Sequence, residues 1–307
     1  IQQGSGLPGL DHSNAQVKLL PDGTFVVLSG GADLGTGLDT ISAKCVCEIL
    51  KVPMSVVSVI SGDTDSCLFD TGAYASSGTY FSGNASLLAT KDLEKKILKE
   101  SSLQMGEKEE ELAIEYPGKV ISKATGKSLT YANLAHASVA GDGRGNLIGT
   151  ASFTTPNFAV PYGAHFAEVA VNTVTGEIKV RKFYALQDAG TPINPELALC
   201  QMYGATLKSI GHTLYEGMIL DENGKCVNAN FTDYGTPMIY EQPDDFKSVL
   251  IDVDDSYGPF GAKSISEIAT NGAAPAIAMA IADATGVWVR SWPITPEKIL
   301  KGLGKIG

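Results

Sequence analysis

Two segments of the chain each predict a β-hairpin followed by a glycine-containing loop and a helix. The first hairpin runs from Ala15 to Ser29 around an Asp22-Gly23 turn, and the second runs from Ala167 to Val180 around its own glycine. Alternating side chains on both sides of a glycine turn are a strong hairpin signal. Helical periodicity follows over Leu38 to Leu50 and over Pro195 to about Glu216. The sequence therefore predicts an α+β fold of two similar two-layer units, in which strand hairpins pack against helices.

The boundary between the two units is expected near residues 141–145, whose sequence Gly-Asp-Gly-Arg-Gly is typical of a loop. This gives a first unit over residues 1–145 and a second over residues 146–307. A chain of 307 residues is long enough for two domains of ordinary size.

Two further helices are predicted outside this repeated plan. Apolar residues recur at helical spacing from Ala85 to Leu103. Near the C-terminus, Asn271 suits the N-cap of a helix, Pro275 suits its first turn, and Gly286 suits the position just beyond its end. The acidic stretch Glu107–Glu111 is interpreted as solvated surface.

Composition argues against several kinds of partner. The net charge of −11 and the isoelectric point of about 4.8 disfavour a nucleic-acid partner, because an acidic surface repels phosphate backbones. No run approaches the ~20 apolar residues that a membrane-spanning helix needs, so we expect no membrane contact. Five cysteines form neither a C-x-x-C pair nor a zinc spacing, which favours reduced thiols in a cytoplasmic protein. An iron–sulfur cluster held by this chain alone is not expected.

Three loops rich in glycine and hydroxyl side chains are the best candidates for ligand binding. They cover residues 30–40, 70–79 and 261–272. Backbone N–H groups at a strand-to-helix junction can bind an anion, and small side chains let the backbone approach a ligand closely. Because the chain has no basic surface, three such loops together predict a large ligand whose phosphates are bound by local N–H groups.

Glu267 in the third loop has small or apolar neighbours, and its residue context alone leaves two interpretations open. One is a carboxylate near a helix start, and the other is a general base in a partly dry pocket. A different hypothesis is a hydrolase that uses two carboxylates from Asp63, Asp65 and Asp70, although Gly62 and its acidic neighbours are more typical of a surface turn.

The three loops, in this order, resemble the xanthine dehydrogenase and aldehyde oxidase family of molybdenum hydroxylases. The resemblance covers nearly the whole chain but only the C-terminal half of that family's molybdopterin subunit. Residues 35–37 fall where the family has a Gly-Gln-Gly loop against the pterin, with Thr36 in place of glutamine. Residues 73–79 match the second cofactor loop, in which Ala75 would lie beside the metal and Ser76 would contact the cofactor.

The second half of the chain carries two more matches. Residues 188–195, followed by Gln201, resemble the segment D-x-G-x-x-I-N-P…Q, whose glutamine touches the pterin. Residues 261–267, followed by residues 273–278, resemble G-A-K-G-x-G-E…A-P-A-x-A-N-A, with serines in place of two glycines. The resemblance implies these cofactor-binding residues: Gly35, Thr36, Gly37, Ala73, Tyr74, Ala75, Ser76, Ser77, Thr79, Gln201, Lys263, Ser264 and Ser266.

The resemblance also implies a catalytic role for Glu267 as the general base. The implied cofactor is molybdopterin cytosine dinucleotide, whose molybdenum is held by the pterin dithiolene and carries a terminal sulfur or selenium ligand. No protein side chain would ligate the metal, and Ala75 and Glu267 would lie near it.

A molybdopterin subunit in two pieces resembles the bacterial nicotinate dehydrogenase arrangement, and the chain is similar to its medium subunit. This implies a large molybdopterin subunit, an iron–sulfur subunit with [2Fe-2S] clusters and an FAD subunit as partners. The implied reaction converts nicotinate to 6-hydroxynicotinate and passes electrons to NAD(P). The alternatives are aldehyde, xanthine or CO-type oxidation within the same family, and a non-catalytic module that only holds the cofactor.

Overall fold

The computed structural model describes residues 6–141 and 144–307, and contacts divide them into two compact units. The N-terminal unit comprises the residues from Gly6 to Ala159 together with Asp254–Ser264. The C-terminal unit comprises Val160–Val253 together with Ile265–Gly307. Residues 142 and 143 of the loop expected at the unit boundary lie outside the described residues.

The N-terminal unit opens with the expected hairpin. Strands β1 (Ser13–Leu19) and β2 (Phe25–Ser29) pair antiparallel, helix α1 (Leu38–Leu50) follows, and β3 (Val57–Ser61) then pairs parallel to β2. A parallel pair needs a crossover connection, and α1 provides it. The helix predicted from Leu38 to Leu50 is confirmed.

Helix α2 (Gly78–Met105) begins seven residues before the start predicted at Ala85. The sequence signal fails there because every residue from Tyr80 to Leu87 is buried, so no polar face marks the helix. α2 packs very closely on the sheet. A Cβ on Gly149 would lie 2.1 Å from the carbonyl oxygen of Ala89, so only glycine fits at this crossing.

The remaining elements of this unit are short. They are β4 (Leu112–Glu115), β5 (Lys119–Ser122), β6 (Ser128–Thr130), α3 (Tyr131–His136) and β7 (Ile148–Phe153). Strands β4, β5 and β6 form a separate sheet, whereas β7 pairs with β1 and completes the order β3-β2-β1-β7. β7 thus continues the first sheet beyond residue 145, and the limits 1–145 and 146–307 stay a prediction.

The C-terminal unit repeats the plan of the first. Strands β8 (Gly163–Val171) and β9 (Ile178–Asp188) form an antiparallel hairpin, helix α4 (Pro195–Leu214) follows, and β10 (Asp245–Ile251) pairs parallel to β9. The fold prediction of two similar α+β units is therefore confirmed.

Three helices close this unit, namely α5 (Glu267–Asn271), α6 (Ala273–Thr285) and α7 (Pro296–Gly302). The prediction for α6 is partly wrong, because Asn271 ends α5 and Gly272 is the N-cap of α6. Pro275 does lie in the first turn, and Gly286 ends the helix with a φ of 75°. Among the described residues, no helix combines the length and the apolar character that a membrane span requires.

Each unit has its own hydrophobic core between a sheet and its helices. The fully buried side chains of the N-terminal core include Val17, Val27, Val46, Leu93 and Ile97. Those of the C-terminal core include Phe183, Met202, Ile210, Ile277 and Ile281. The cores fix the ends of the helices and strands from which the three loops emerge.

One buried ion pair ties residue 144 to α2. The Arg144 Nε and Nη2 atoms donate to the Glu100 carboxylate at 2.8 and 2.6 Å, and the Gln104 amide donates to it at 2.7 Å. The Glu100 side chain is only 6% exposed. The Arg144 hydrogen bonds hold the pKa of Glu100 below its usual value despite this burial.

We expect Arg144→Met to lower the free energy of unfolding at pH 7 by about 1–3 kcal/mol, because it leaves a buried carboxylate without its cation. The folded-state pKa of Glu100 is depressed, so this stabilisation is present above the unfolded value of about 4.3 and is lost as the pH falls through the folded value. Urea denaturation at pH 7 and pH 3 measures both effects. Lys51→Met removes an exposed ion pair to Glu48 and should change stability by less than about 0.5 kcal/mol.

Candidate cofactor-binding site

The first loop joins β2 to α1 and is organised by Asp33. One Asp33 oxygen accepts from the N–H groups of Gly35 and Gly37 at 2.8 and 3.1 Å, and the other accepts from the Asp39 N–H at 3.2 Å. Burial alone would raise the pKa of Asp33, but these N–H groups together lower it. Gly35 and Gly37 have φ angles of 90° and 84°, which favour glycine.

This arrangement corrects the interpretation of the first loop as an anion site. The N–H groups that would bind an anion already donate to the Asp33 carboxylate, so a phosphate would have to displace a charged group. Thr36 at the tip of the loop is exposed. The first loop therefore offers a ligand its side chains and carbonyl groups rather than a ring of free N–H donors.

The second loop contains two adjacent residues with left-handed backbone conformations. Ala75 and Ser76 have φ angles of 47° and 54°. For residues with a Cβ atom such conformations cost about 1–3 kcal/mol each, and they are kept where the surroundings determine them. The Ala75 carbonyl accepts from the Gly6 N–H at 2.7 Å, which fixes the turn from outside. The strain marks this turn as a candidate for function.

Two aspartates hold the second loop in place. Asp70 accepts hydrogen bonds from the Ser13 hydroxyl, from the Ser82 hydroxyl at 3.1 Å and from the Gly72 N–H at 2.8 Å. Asp11 is completely buried and accepts from the Tyr74 hydroxyl. This bond raises the pKa of the Tyr74 phenol, which therefore stays protonated. Both ends of the strained turn are thus anchored to buried carboxylates or to strand β1.

The second loop leads directly into the first turn of α2. The Ser77 hydroxyl donates to the Gly72 carbonyl at 3.2 Å and does not cap the helix. The Tyr80 N–H donates to the Ser264 hydroxyl of the third loop at 3.2 Å. The N–H groups of Gly78 and Thr79 have no protein acceptor within the described part of the chain. The start of a 28-residue helix thus presents two donors and the positive end of its dipole.

The turn that leads into the third loop packs against α2. Gly258 lies so close to Ala262 that a Cβ would be 1.7 Å from the Ala262 carbonyl oxygen, so the turn requires glycine. Pro259 packs against Gly83 of α2, 3.0 Å from the position of a Cβ there. Lys263 and Ser264 follow and are 8% and 3% exposed. The N-terminal unit therefore places Ser264 against the first turn of α2, with Lys263 next to it in the chain.

Glu267 is the first residue of α5 in the C-terminal unit and is half-buried. The next two residues, Ile268 and Ala269, are 2% and 0% exposed, and Ala269 belongs to the C-terminal core. α5 packs against α4 and β9. The core therefore fixes the backbone of Glu267, while part of its side chain meets solvent. Ser266 precedes it as the N-cap and makes no side-chain capping bond.

Gln201 lies on α4, also in the C-terminal unit, and is half-buried. The conformation of the loop that precedes α4 is determined by local capping and turn contacts. The Asn194 side chain accepts from the Leu197 N–H at 3.3 Å, Pro195 occupies the first turn, and the Gly190 N–H donates to Asp188 at 3.0 Å. These contacts fix where α4 begins and so place Gln201 two turns into the helix.

The expected site residues fall into two sets. The N-terminal unit carries Gly35, Thr36, Gly37, Ala73, Tyr74, Ala75, Ser76, Ser77, Thr79, Lys263 and Ser264, and the C-terminal unit carries Gln201, Ser266 and Glu267. Sequence reasoning missed Asp11 and Asp33, which shape the loops. Asp33 could have been recognised, because an aspartate before Gly-x-Gly often accepts from the following N–H groups.

The hydrolase hypothesis finds no support in the geometry. Asp63 accepts from the Asp65 N–H at 2.9 Å and from the Ser66 hydroxyl at 2.8 Å, as in an exposed turn. Asp70 is engaged with the second loop. Among the described residues, no group of three histidine, cysteine or acidic side chains could hold a metal ion.

We expect Asp70→Asn to destabilise the protein by about 1–3 kcal/mol, because an amide cannot accept all three hydrogen bonds. The second loop should also become more sensitive to limited proteolysis. Asp63→Asn is the matched control, since the Asp63 side chain accepts two hydrogen bonds in an exposed turn, and it should cost less than about 0.5 kcal/mol. Equal losses for the two variants in urea denaturation would show that Asp70 does not hold the loop.

Comparison with known proteins shows the family to which this chain belongs. The model of the molybdopterin cofactor-binding domain matches residues 1–243. The probable hypoxanthine oxidase XdhD of Escherichia coli K12 is 55% identical over 306 residues, which are 100% of this chain and 32% of that protein. The aldehyde oxidoreductase molybdenum-binding subunit PaoC of Escherichia coli O157:H7 is 32% identical over 96% of this chain and 39% of its own length. The chain thus spans between 32% and 39% of these curated relatives.

A solved structure shows the same fold. Quinoline 2-oxidoreductase from Pseudomonas putida 86 matches 99% of this chain and 41% of its own with a TM-score of 0.89 and 25% identity. The resemblance to xanthine dehydrogenase and aldehyde oxidase proteins that the loops indicated is confirmed. The chain belongs to the molybdopterin cofactor-binding domain family.

Proposed function

We propose that the chain is the cofactor-binding and base-carrying part of a molybdenum-dependent hydroxylase that oxidises an N-heterocycle. When bound, the molybdenum cofactor supplies the two-electron oxidation that transfers water-derived oxygen to an electron-poor carbon. The observation that carries the proposal is Glu267, a half-buried carboxylate whose backbone the C-terminal core fixes, in a chain of this family. A general base needs such a fixed position to accept a proton efficiently.

The N-terminal unit fits a large cofactor with phosphate groups. The Gly78 and Thr79 N–H groups at the start of α2 match the acceptors of a pyrophosphate, and the helix dipole favours its charge. The strained turn at Ala75 and Ser76 presents backbone with only small side chains. We infer that this turn and the start of α2 bind the dinucleotide part of molybdopterin cytosine dinucleotide, and that residues 35–37 contact the pterin.

In the C-terminal unit, we infer that Gln201 hydrogen-bonds the pterin and that Glu267 accepts a proton from the group that attacks the substrate. A carboxylate is suited to this role because its oxygens can accept a proton from a group within hydrogen-bond reach. In this proposal, no side chain of this chain ligates the metal. The terminal ligand of the metal would be sulfur or selenium.

The substrate class is proposed from one of the relatives reported above. A probable hypoxanthine oxidase at 55% identity favours a purine over the nicotinate that the subunit arrangement suggested. Both are electron-poor N-heterocycles with an oxidisable carbon beside nitrogen. Assays of the purified complex with hypoxanthine, xanthine, nicotinate and a simple aldehyde distinguish them. We expect the purines to be oxidised fastest. A clear preference for nicotinate would contradict the purine proposal and support nicotinate as the substrate.

The proposed partners complete the electron path. We infer that a larger molybdopterin polypeptide, an iron–sulfur protein with [2Fe-2S] clusters and an FAD protein accompany this chain and pass electrons to NAD(P). The five cysteines are free thiols, and only Cys45 and Cys47 lie near each other in the sequence. Burial raises the pKa of both of these thiols. Among the described residues, no group of three cysteine, histidine or acidic side chains could hold a metal ion, so we propose that the clusters are bound by the partner.

We expect Glu267→Gln to retain the fold and the molybdenum content but to lower kcat by about two or more decades, because the proton acceptor is removed. Steady-state kinetics and metal analysis of the same preparation measure both. Glu297→Gln is the matched control, since Glu297 occupies the first turn of α7 in the same unit, and it should keep near-normal kcat. Normal turnover of the Glu267 variant would favour a non-catalytic module that only holds the cofactor.

A further inference from the structure

The connection between α4 and β10 exposes an unusual number of large apolar side chains. It covers residues 215–244 of the C-terminal unit and contains one short 3-10 turn but no long helix or strand. Between Met218 and Tyr240, eight large apolar side chains are exposed. Long irregular loops in compact domains are usually functional, and exposed apolar patches mark interaction sites. The α4–β10 connection is therefore a candidate for an interaction surface.

The first part of the connection is a small hairpin with apolar side chains on both faces. Leu220 pairs antiparallel with Cys226. The Val227 N–H donates to the Ile219 carbonyl at 2.9 Å. Paired side chains share a face and successive ones alternate, so Ile219 and Val227 lie on one face and Leu220 on the other. Each of these three exposes more than half of its surface, whereas a hairpin without packing partners is only marginally stable in water.

Hydrogen bonds nevertheless fix the backbone of this hairpin. The Asp221 carboxylate accepts from two N–H groups of the turn, at 2.9 Å each. At the base, the buried Asn228 side chain accepts from the Ile219 N–H at 2.9 Å and donates to the Gly217 carbonyl at 2.7 Å. The exposed apolar side chains are thus presented from an ordered backbone, which lowers the entropic cost of binding.

Two further turns each present an aromatic side chain to solvent. The Asn230 side chain accepts from two N–H groups of its turn at 3.0 and 3.1 Å, and Phe231 in this turn is 91% exposed. The Glu241 carboxylate accepts from the N–H three residues earlier at 2.7 Å, and Tyr240 in this second turn is 88% exposed. Aromatic side chains on a fixed backbone are typical anchors of protein interfaces.

The charge around these side chains limits which partner can bind. Residues 215–241 carry five carboxylates and one lysine, a local net charge of −4. Two copies of the same acidic surface repel each other, and the anionic headgroups of a membrane repel it as well. The complementary partner is a protein face with an apolar centre and lysine or arginine side chains at its rim.

We propose that the α4–β10 connection is a preformed docking surface for the larger molybdopterin polypeptide, which meets it with an apolar face bordered by basic side chains. This chain spans 32% of XdhD and 39% of PaoC, so most of such a protein lies outside the matched part. Phe231 and Tyr240 are the anchors of the surface, and exposed acidic residues such as Glu222 form its rim. The docking surface presupposes the partner of the proposed function, but it does not depend on the role of Glu267.

Binding of the purified larger polypeptide to the full chain tests the two anchors. The double variant Phe231→Ala/Tyr240→Ala should weaken the complex by at least about thirtyfold, because two desolvated aromatic anchors are lost. Val174→Ala is the control, since Val174 is an exposed apolar residue in the β8–β9 turn of the same unit, and its affinity should stay within about twofold of the unmodified chain. Unchanged affinity of the double variant, or no binding of the unmodified chain, would overturn the proposal. Failure of the proposed function itself shows instead as an enzyme without molybdenum.

A charge reversal tests the basic rim of the partner. Glu222→Lys should lower the association rate constant by about threefold or more, because it replaces attraction with repulsion. Glu110→Lys makes the same change in net charge at an exposed position of the N-terminal unit and should change that rate much less. An unchanged or faster rate for the Glu222 variant would show that the partner face is not basic.

A third measurement uses the unmodified protein. Hydroxyl-radical labelling of Phe231 and Tyr240 should be at least about fivefold slower in the assembled enzyme than in this chain alone, because the centre of an interface excludes solvent. Equal labelling in the two samples would contradict the proposal. A dimeric mass of the chain alone that the double variant abolishes would identify a second copy as the occupant, and sedimentation with phosphatidylglycerol vesicles would identify a membrane. Either result would overturn the assignment to the larger polypeptide.

Discussion

Each unit depends on a parallel pairing between the strand that follows a helix and the second strand of the preceding hairpin. β3 pairs with β2 in this way, and β10 pairs with β9. Because a parallel neighbour must be reached by a crossover, α1 and α4 have to cover one face of their sheets. The loops that lead into these helices then leave from the carboxyl ends of β2 and β9, which is where α/β sheets commonly bind ligands. Residues 30–37 and 189–194 are these loops.

Internal carboxylates determine what the loops can bind. The Asp33 carboxylate accepts hydrogen bonds from N–H groups of the first loop. Asp70 and Asp11 accept hydrogen bonds that hold the second loop. A chain with a net charge of −11 thus directs part of its negative charge inward, onto its own backbone donors. The donors left over are those of Gly78 and Thr79 at the start of α2. An acidic protein can bind a phosphate-bearing ligand at such a point because the helix dipole acts locally.

The sequence predicted the parts of the structure that have a local periodic signal. The hairpins and α1 were predictable because turn chemistry and periodicity agree there, whereas the start of α2 was not, because the helix is buried on all sides from Tyr80 to Leu87. Strands β7 and β10 were not predicted, because their pairing partners lie far away in the sequence and such a pairing leaves no local pattern. For the site, the loops and Glu267 are proposed from motif resemblance. The roles of Asp11 and Asp33 depend on hydrogen bonds that only the folded chain shows.

The central claim is that this chain holds a molybdenum cofactor as part of a larger enzyme. The most direct measurement is the molybdenum and pterin content of the chain purified together with the polypeptides that accompany it, with the nucleotide released by acid hydrolysis identified. We predict close to one molybdenum and one pterin per copy of this chain, and cytosine as the base. A folded, active preparation that contains neither molybdenum nor pterin would contradict it.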